Sequence, residues 1–174
     1  MAKGKKNSSL KLLLTLCSCT LALVALILLL ATNSVVYTLT SQVLGGKSKY
    51  EVSGIAGIFG GTDAKYAMSW AGLLSFIFVA AALVLVVLLV VLALLKKKIG
   101  FAGLLKFIAA GLLIAGGVLV FFEVAAFKAA NGDNAFNLGS LATGTYSLGV
   151  GWIIAAILSI VSGAGLIVEE IVVK

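Results

Sequence analysis

The residues with chemical potential in this chain are few, and each lacks a partner. Cys17 and Cys19 stand two positions apart, so on a helix their thiols leave from different faces. Redox pairing and metal capture are therefore not expected of them, and buried packing is. The run Leu16, Cys17, Ser18, Cys19 has the outline of a lipoprotein cleavage site, but the apolar stretch continues well past Cys19, which argues against cleavage. Gly54, Gly57, Gly60 and Gly61 have the look of a phosphate-cradling loop, yet no Lys and Ser/Thr follow them, so a turn or a closely packed surface is the better reading. Asn131, Asp133 and Asn134 fall short of the six or more oxygens, including a carboxylate at the far end of a spaced loop, that calcium requires.

Missing residue types close further routes. The sequence contains no His, Arg or Pro. Without His there is no imidazole base or imidazole metal ligand, and without Arg there is no bidentate phosphate clamp. A facing Asp pair, a Ser with a base or an H-E-x-x-H motif cannot be assembled. The expected sets of catalytic, cofactor-binding and metal-ligating residues are empty, and the expected class is not an enzyme.

The elements that hold these residues are set by solvent. The 174 residues are 62% hydrophobic and 11% charged, with a mean hydropathy of +1.24. A soluble domain carries an apolar share of roughly 45–50%. The formal charge of +7 does not imply nucleic acid, because the lysines cluster at the ends of apolar runs rather than on one basic face. The reading is an all-α membrane protein, a bundle of four transmembrane helices over residues 12–31, 70–95, 99–122 and 150–168, forming one integral membrane domain. The first run is long enough to cross ~30 Å of hydrocarbon and longer than the apolar core of a signal peptide, so it is expected to be retained. Loops of 33–68 and 124–146 lie on one side. In the first, Val35 to Thr40 and Tyr50 to Phe59 look extended and flank the turn residues Gly45 to Ser48, which allows a small β-hairpin on the membrane surface. Lys106 is expected to snorkel to the membrane surface, and its distance from Glu123, about 25 Å along a helix, excludes an ion pair between them. Glu169, Glu170 and Lys174 are expected to form a short tail.

Orientation follows from Lys96, Lys97 and Lys98, wedged between two apolar spans. Lysine-rich short loops mark the cytoplasmic side. With this turn inside, Lys3, Lys5, Lys6, Lys11, Lys106 and Lys174 join it, whereas Lys47, Lys49, Lys65 and Lys128 lie outside. Glu51, Asp63, Glu123 and Asp133 neutralise the outer side, leaving the whole +7 inside. The expectation is a multi-pass plasma membrane protein with both termini cytoplasmic. The turn, with the basic N-terminus, is the expected contact for anionic lipid. Trp70 and Trp152, with Tyr66 and Tyr146 just beyond them, are expected to anchor the outer interface.

Helices in lipid adhere where small residues let backbones approach. Ser147, Gly151, Ala155, Ser159 and Gly163 recur every four residues along the fourth span. Gly111 and Ala115, beside Gly116 and Gly117, offer a shorter seam on the third, and Ser18, Ala22 and Ala25 on the first. These are expected to pack the bundle internally, with a dimer seam as the alternative.

The layout of four spans, cytoplasmic termini, a longer first outer loop with strand-like segments and a shorter second one resembles the claudin-type tetraspan architecture. It is also similar to that of small four-span membrane proteins of low-GC bacteria, with which the exclusive use of Lys over Arg agrees. The claudin signature of a Trp, a Gly-Leu-Trp and two cysteines is absent from the first outer loop, so tight-junction function is not carried over. The function expected is a non-enzymatic interaction, scaffolding or accessory membrane subunit that uses its outer loops. The alternative is a small-solute channel or transporter subunit formed by oligomerisation. The expected partners are the lipid bilayer and either a membrane protein or a second copy of the chain.

Overall fold

A computed structural model describes residues 2–41, 46–61, 66–95, 100–132 and 142–172. The elements run α1 (Ala2–Ala31), β1 (Asn33–Ser41), β2 (Lys47–Ser53), α2 (Gly54–Phe59), α3 (Trp70–Leu94), α4 (Ala102–Val120), α5 (Glu123–Asn131), β3 (Ala142–Leu148) and α6 (Val150–Val172). Four helical stretches are long and apolar enough to cross a membrane: Leu10–Ala31, Trp70–Leu94, Ala102–Val120 and Val150–Val172. The chain is thus a multi-pass membrane protein by helix length and composition. The last span continues past residue 168 and takes in Glu169 and Glu170, which the sequence reading had placed in a tail.

The four long helices close a ring in which α1 packs on α3 and α6, and α4 bridges α3 and α6. Small residues dominate the centre, among them Ala22, Ala25, Ala82, Ala109, Ala110 and Ala155, all with no exposed surface. Their size lets backbones approach, which replaces the hydrophobic drive that lipid removes. Large apolar side chains such as Ile27, Ile77, Val84 and Ile157 point outward instead, as a lipid-facing surface requires.

One end of the bundle carries a three-stranded antiparallel sheet in the order β2-β1-β3. The β1–β2 hairpin falls where the sequence suggested strands. The third strand comes from the end of the second loop, for which the sequence suggests no strand, and β1 lies at the centre with Tyr37 paired to both Tyr50 and Tyr146. Two helices are also additional. Residues 54–59, expected to be extended, form α2, because Ser53 caps it by accepting from the Ala56 N–H at 3.3 Å. Residues 123–131 form α5, which ends at Gly132 in the left-handed region with φ 76°.

The membrane end of α1 shows how layer and bundle are joined. A helix leaves its last carbonyls without partners. Here Leu28 O receives the Thr32 N–H at 3.1 Å and the Thr32 hydroxyl at 2.6 Å. Thr32 O receives the Gly54 N–H of α2 at 2.7 Å, and Leu29 O receives the indole N–H of Trp152 from α6 at 3.1 Å. A Cβ at Gly54 would collide with Leu29 O and sit 2.7 Å from Thr32 O, so only glycine brings its N–H close enough.

Candidate functional site

Each end of the bundle buries ionisable groups. At the end away from the sheet, Lys106 of α4 reaches Glu169 of α6 in a hydrogen-bonded ion pair and lies 3.4 Å from Glu170. The Glu169 side chain is fully buried and that of Lys106 is 12% exposed. Thr15 of α1 contacts both Glu169 oxygens, at 3.0 and 2.9 Å. Two turns along α6, Ser162 donates to Ser18 O at 2.8 Å. These polar groups tie α1, α4 and α6 together, and they replace the expected snorkelling of Lys106, whose ammonium is met by an acid on the neighbouring helix.

At the sheet end, Glu123 opens α5 and is fully buried. Ser69, the residue that caps α3, donates its hydroxyl to Glu123 Oε2 at 2.7 Å. The other oxygen, Oε1, is a buried polar atom without a hydrogen-bond partner. Gly57 of α2 and Gly72 of α3 make room for the carboxyl: an added Cβ would lie 3.2 Å from Oε1 at the first and 2.9 Å from Oε2 at the second. Burial pushes the acid up to about 7, against hydrogen bonds from Ser69 and the Gly72 backbone that pull it down. Glu123 had been placed at the outer interface. Enclosure by α2, α3 and α6 removes it from water.

The sheet has two distinct faces. On one, Val35 and Val52 pack with Phe127 of α5, and the tyrosines form a row across all three strands. The Tyr37 ring lies 6.4 Å from that of Tyr50 and 4.7 Å from that of Tyr146, and the Lys128 ammonium sits 4.8 Å over Tyr146. Asn131 pins α5 to the strand of chain before α3, accepting the Ala67 N–H at 2.6 Å and donating to Ala67 O at 3.2 Å. On the opposite face Thr38, Lys49, Glu51 and Ser147 meet Thr32 and Val150 at the ends of α1 and α6 around a cleft of ≈ 310 Å³ with a mixed polar and apolar lining. Lys49 pairs with Glu51 at 2.8 Å. The hydrogen bond and charge of Lys49, helped by Asn33, hold the Glu51 carboxyl below its ordinary range.

The residues singled out from the sequence fall in several places. Gly151 lies against the Thr32 side chain, Ala155 and Ser159 are buried, and Gly163 lies against α4, where an added Cβ would be 2.8 Å from Ala110 O. Ala115 is half-buried. Gly111 does not line a seam, since an added Cβ there meets nothing within 4 Å. The contacts on α4 belong instead to Gly116, against Val79, and Gly117, where an added Cβ would be 2.8 Å from Ala156 O. Ser147 is not part of the helical ladder: it lies in β3 and donates to Val36 O at 3.2 Å. Trp70 is 49% exposed at the start of α3, whereas Trp152 is fully buried and caps α1, so it is no headgroup anchor. Lys96, Lys97 and Lys98 lie outside the described residues, as do Asp133 and Asn134 of the calcium-like run.

Sequence reasoning missed Glu123 and the Glu169 pair. A signal existed for the first, an acid set between Phe122 and Val124 in an apolar run. For the second, Lys106 stood alone within a span, and such a charge in a membrane needs a partner. Comparison of the chain with protein-family models and with characterised proteins finds no match. Chemically, this arrangement offers proton binding at Glu123, a neutralised ion pair within the bundle, and a polar and aromatic surface on the sheet.

Proposed function

We propose that the protein is a non-enzymatic integral membrane protein that presents its sheet-bearing end as an interaction platform, acting as a scaffold or accessory subunit. The observation that carries this reading is the double pairing of β1. By joining β2 on one side and β3 on the other, it merges two separate loops into one surface. An isolated hairpin is marginal, and a third strand with a packed face makes a stable support. Tyrosines favour interfaces because they bring large contact area at small entropy cost, and Tyr50 remains 39% exposed on this layer. The lysine distribution supports an orientation with the sheet outside and both termini in the cytoplasm, and the plasma membrane is the location proposed with it. The claudin-like layout belongs to the same proposal, without tight-junction function.

A photo-crosslinker at Tyr50, in protein purified in mild detergent from its own membrane, tests this. A stoichiometric cross-linked partner, lost when the cross-linker is placed instead at Glu51 on the opposite face of the sheet, is the expected result. The alternative of a channel or transporter subunit is favoured by the Lys106–Glu169 pair, since ionisable groups within spans commonly mark solute paths. Solute-selective flux from reconstituted protein, abolished by Glu169→Gln, would establish that alternative and displace the platform.

A further inference from the structure

We propose that Glu123 is a proton-binding site that clasps the sheet-bearing layer to the helix bundle, closed when the carboxyl is protonated and loosened when it ionises. The inference does not depend on what the platform binds.

The geometry places the carboxyl where separate parts of the fold converge. α5 carries it, and Ser69 at the head of α3 donates to Oε2 at 2.7 Å. On the other side Gly57 of α2 brings α2 and β1 together: an added Cβ there would clash with Ser34 Oγ and lie 2.8 Å from Ser34 Cβ and 3.2 Å from Glu123 Oε1. Gly72 sets α6 against the same group, since its added Cβ would be 3.2 Å from the Trp152 ring and 2.9 Å from Oε2.

The balance of charge decides which protonation state this enclosure suits. An ionised carboxylate offers about four acceptor sites, and here only Oε2 is served while Oε1 is buried without a partner. No countercharge faces it among the described residues. Helices α2 and α3 contain no titratable side chain, and on β1 the single titratable group is Tyr37, which stacks in the tyrosine row. On α5 the Lys128 ammonium lies over Tyr146. On α4 and α6, Lys106, Glu169 and Glu170 group together at the opposite end. A buried anion with one unserved oxygen and no cation is strongly disfavoured, and the neutral acid is not.

Burial raising the carboxyl to about 7 sets the working range near neutrality. Once the layer lifts, water returns the acid to its ordinary range and the anion is favoured there. Proton loss therefore drives opening, and proton uptake drives closure.

The test is hydrogen–deuterium exchange of the full chain in lipid nanodiscs at about pH 5.5 and about pH 8.5, corrected for the intrinsic chemical rate. Amides of α2 and α5 are expected to lose about tenfold or more in protection at the higher pH, while those of the α4–α6 contact stay unchanged. In Glu123→Gln, which carries no charge at either pH, protection is expected to be the same at both. Wild-type protection that does not change with pH, or a Glu123→Gln variant that keeps the wild-type change, would overturn the proposal. Should that variant fail to fold, carbon-13 NMR titration of the wild-type Glu123 carboxyl decides: a midpoint near 7 supports the clasp, and one in the ordinary carboxylate range sinks it.

Discussion

Lys106 and Glu169, 63 positions apart in sequence, meet as a hydrogen-bonded ion pair between α4 and α6. Removing one member leaves the other charged and enclosed, which in buried pairs costs about 3–5 kcal/mol. Lys106→Met is therefore expected to lower the unfolding midpoint in detergent sharply. Adding Glu169→Gln keeps the Thr15 hydrogen bond and removes the stranded charge, so the double variant is expected to recover most of the loss. Equal damage from the single and double variants would show that the pair is not the energetic unit.

Stability should also depend on pH through Glu123. Its carboxyl is raised from 4.5 to about 7 in the folded chain, so the folded state holds a proton that the unfolded state has released. Stability is then highest at acidic pH, falls as pH rises from about 4.5 through about 7, and levels off above that. The span of the effect is on the order of 3 kcal/mol. Glu51 is shifted the opposite way but is solvent-exposed, so its salt bridge is screened and adds little. Denaturation midpoints across this range, compared between wild type and Glu123→Gln, give the measurement; a wild-type curve that rises with pH contradicts the assignment.

Helices α4 and α6 approach through two reciprocal contacts, Gly117 on the Ala156 carbonyl and Gly163 on the Ala110 carbonyl, each at 2.8 Å from an added Cβ. Leucine at either glycine must push two backbones apart, and overpacking of this kind costs about 1–3 kcal/mol or more. Gly111→Leu, which meets open space, is expected to be tolerated. Thermal unfolding of the three variants separates these cases. Similar midpoints for Gly163→Leu and Gly111→Leu would place the α4–α6 contact elsewhere.

The two tryptophans should report different surroundings. Trp70 is half exposed and Trp152 is enclosed, so a lipid-borne quencher is expected to dim Trp70 in a Trp152→Phe background far more than Trp152 in a Trp70→Phe background. Trp152→Phe also deletes the indole bond to Leu29 O and is expected to destabilise by about 1 kcal/mol. Equal quenching of both rings would refute the burial of Trp152.

The four spans were legible because length and hydropathy alone decide whether a helix fits a bilayer, and they say little about what happens at its ends. Lys106 illustrates the limit. Local sequence shows an isolated charge, and its partner Glu169 lies on a helix whose rotation depends on packing with α1 and α4. Strand β3 escaped notice for a related reason: its alternation is diluted by Gly144, which is needed there because the Tyr37 ring fills the space a side chain would take. Trp152 was misplaced because its position near a helix end suits an interfacial anchor equally well, and only the unpaired carbonyls of α1 reveal the other role. Within the candidate site, Glu123 was visible as a residue but not as an enclosed one, since its enclosure comes from Gly57 and Gly72 on distant segments.

The central strand of the sheet is synthesised long before one of its neighbours. Ser147 of β3 bonds to Val36 of β1 across 111 positions, and two spans must be made and inserted in between. At translation rates of about 5–20 residues per second, the interval is on the order of 5–20 s. Through that time β1 and β2 can pair while the far edge of β1 stays open, and an open strand edge accepts any chain with free backbone groups. The period between insertion of the first and last spans is thus the interval in which this protein is most exposed to mispairing and most accessible to a folding helper.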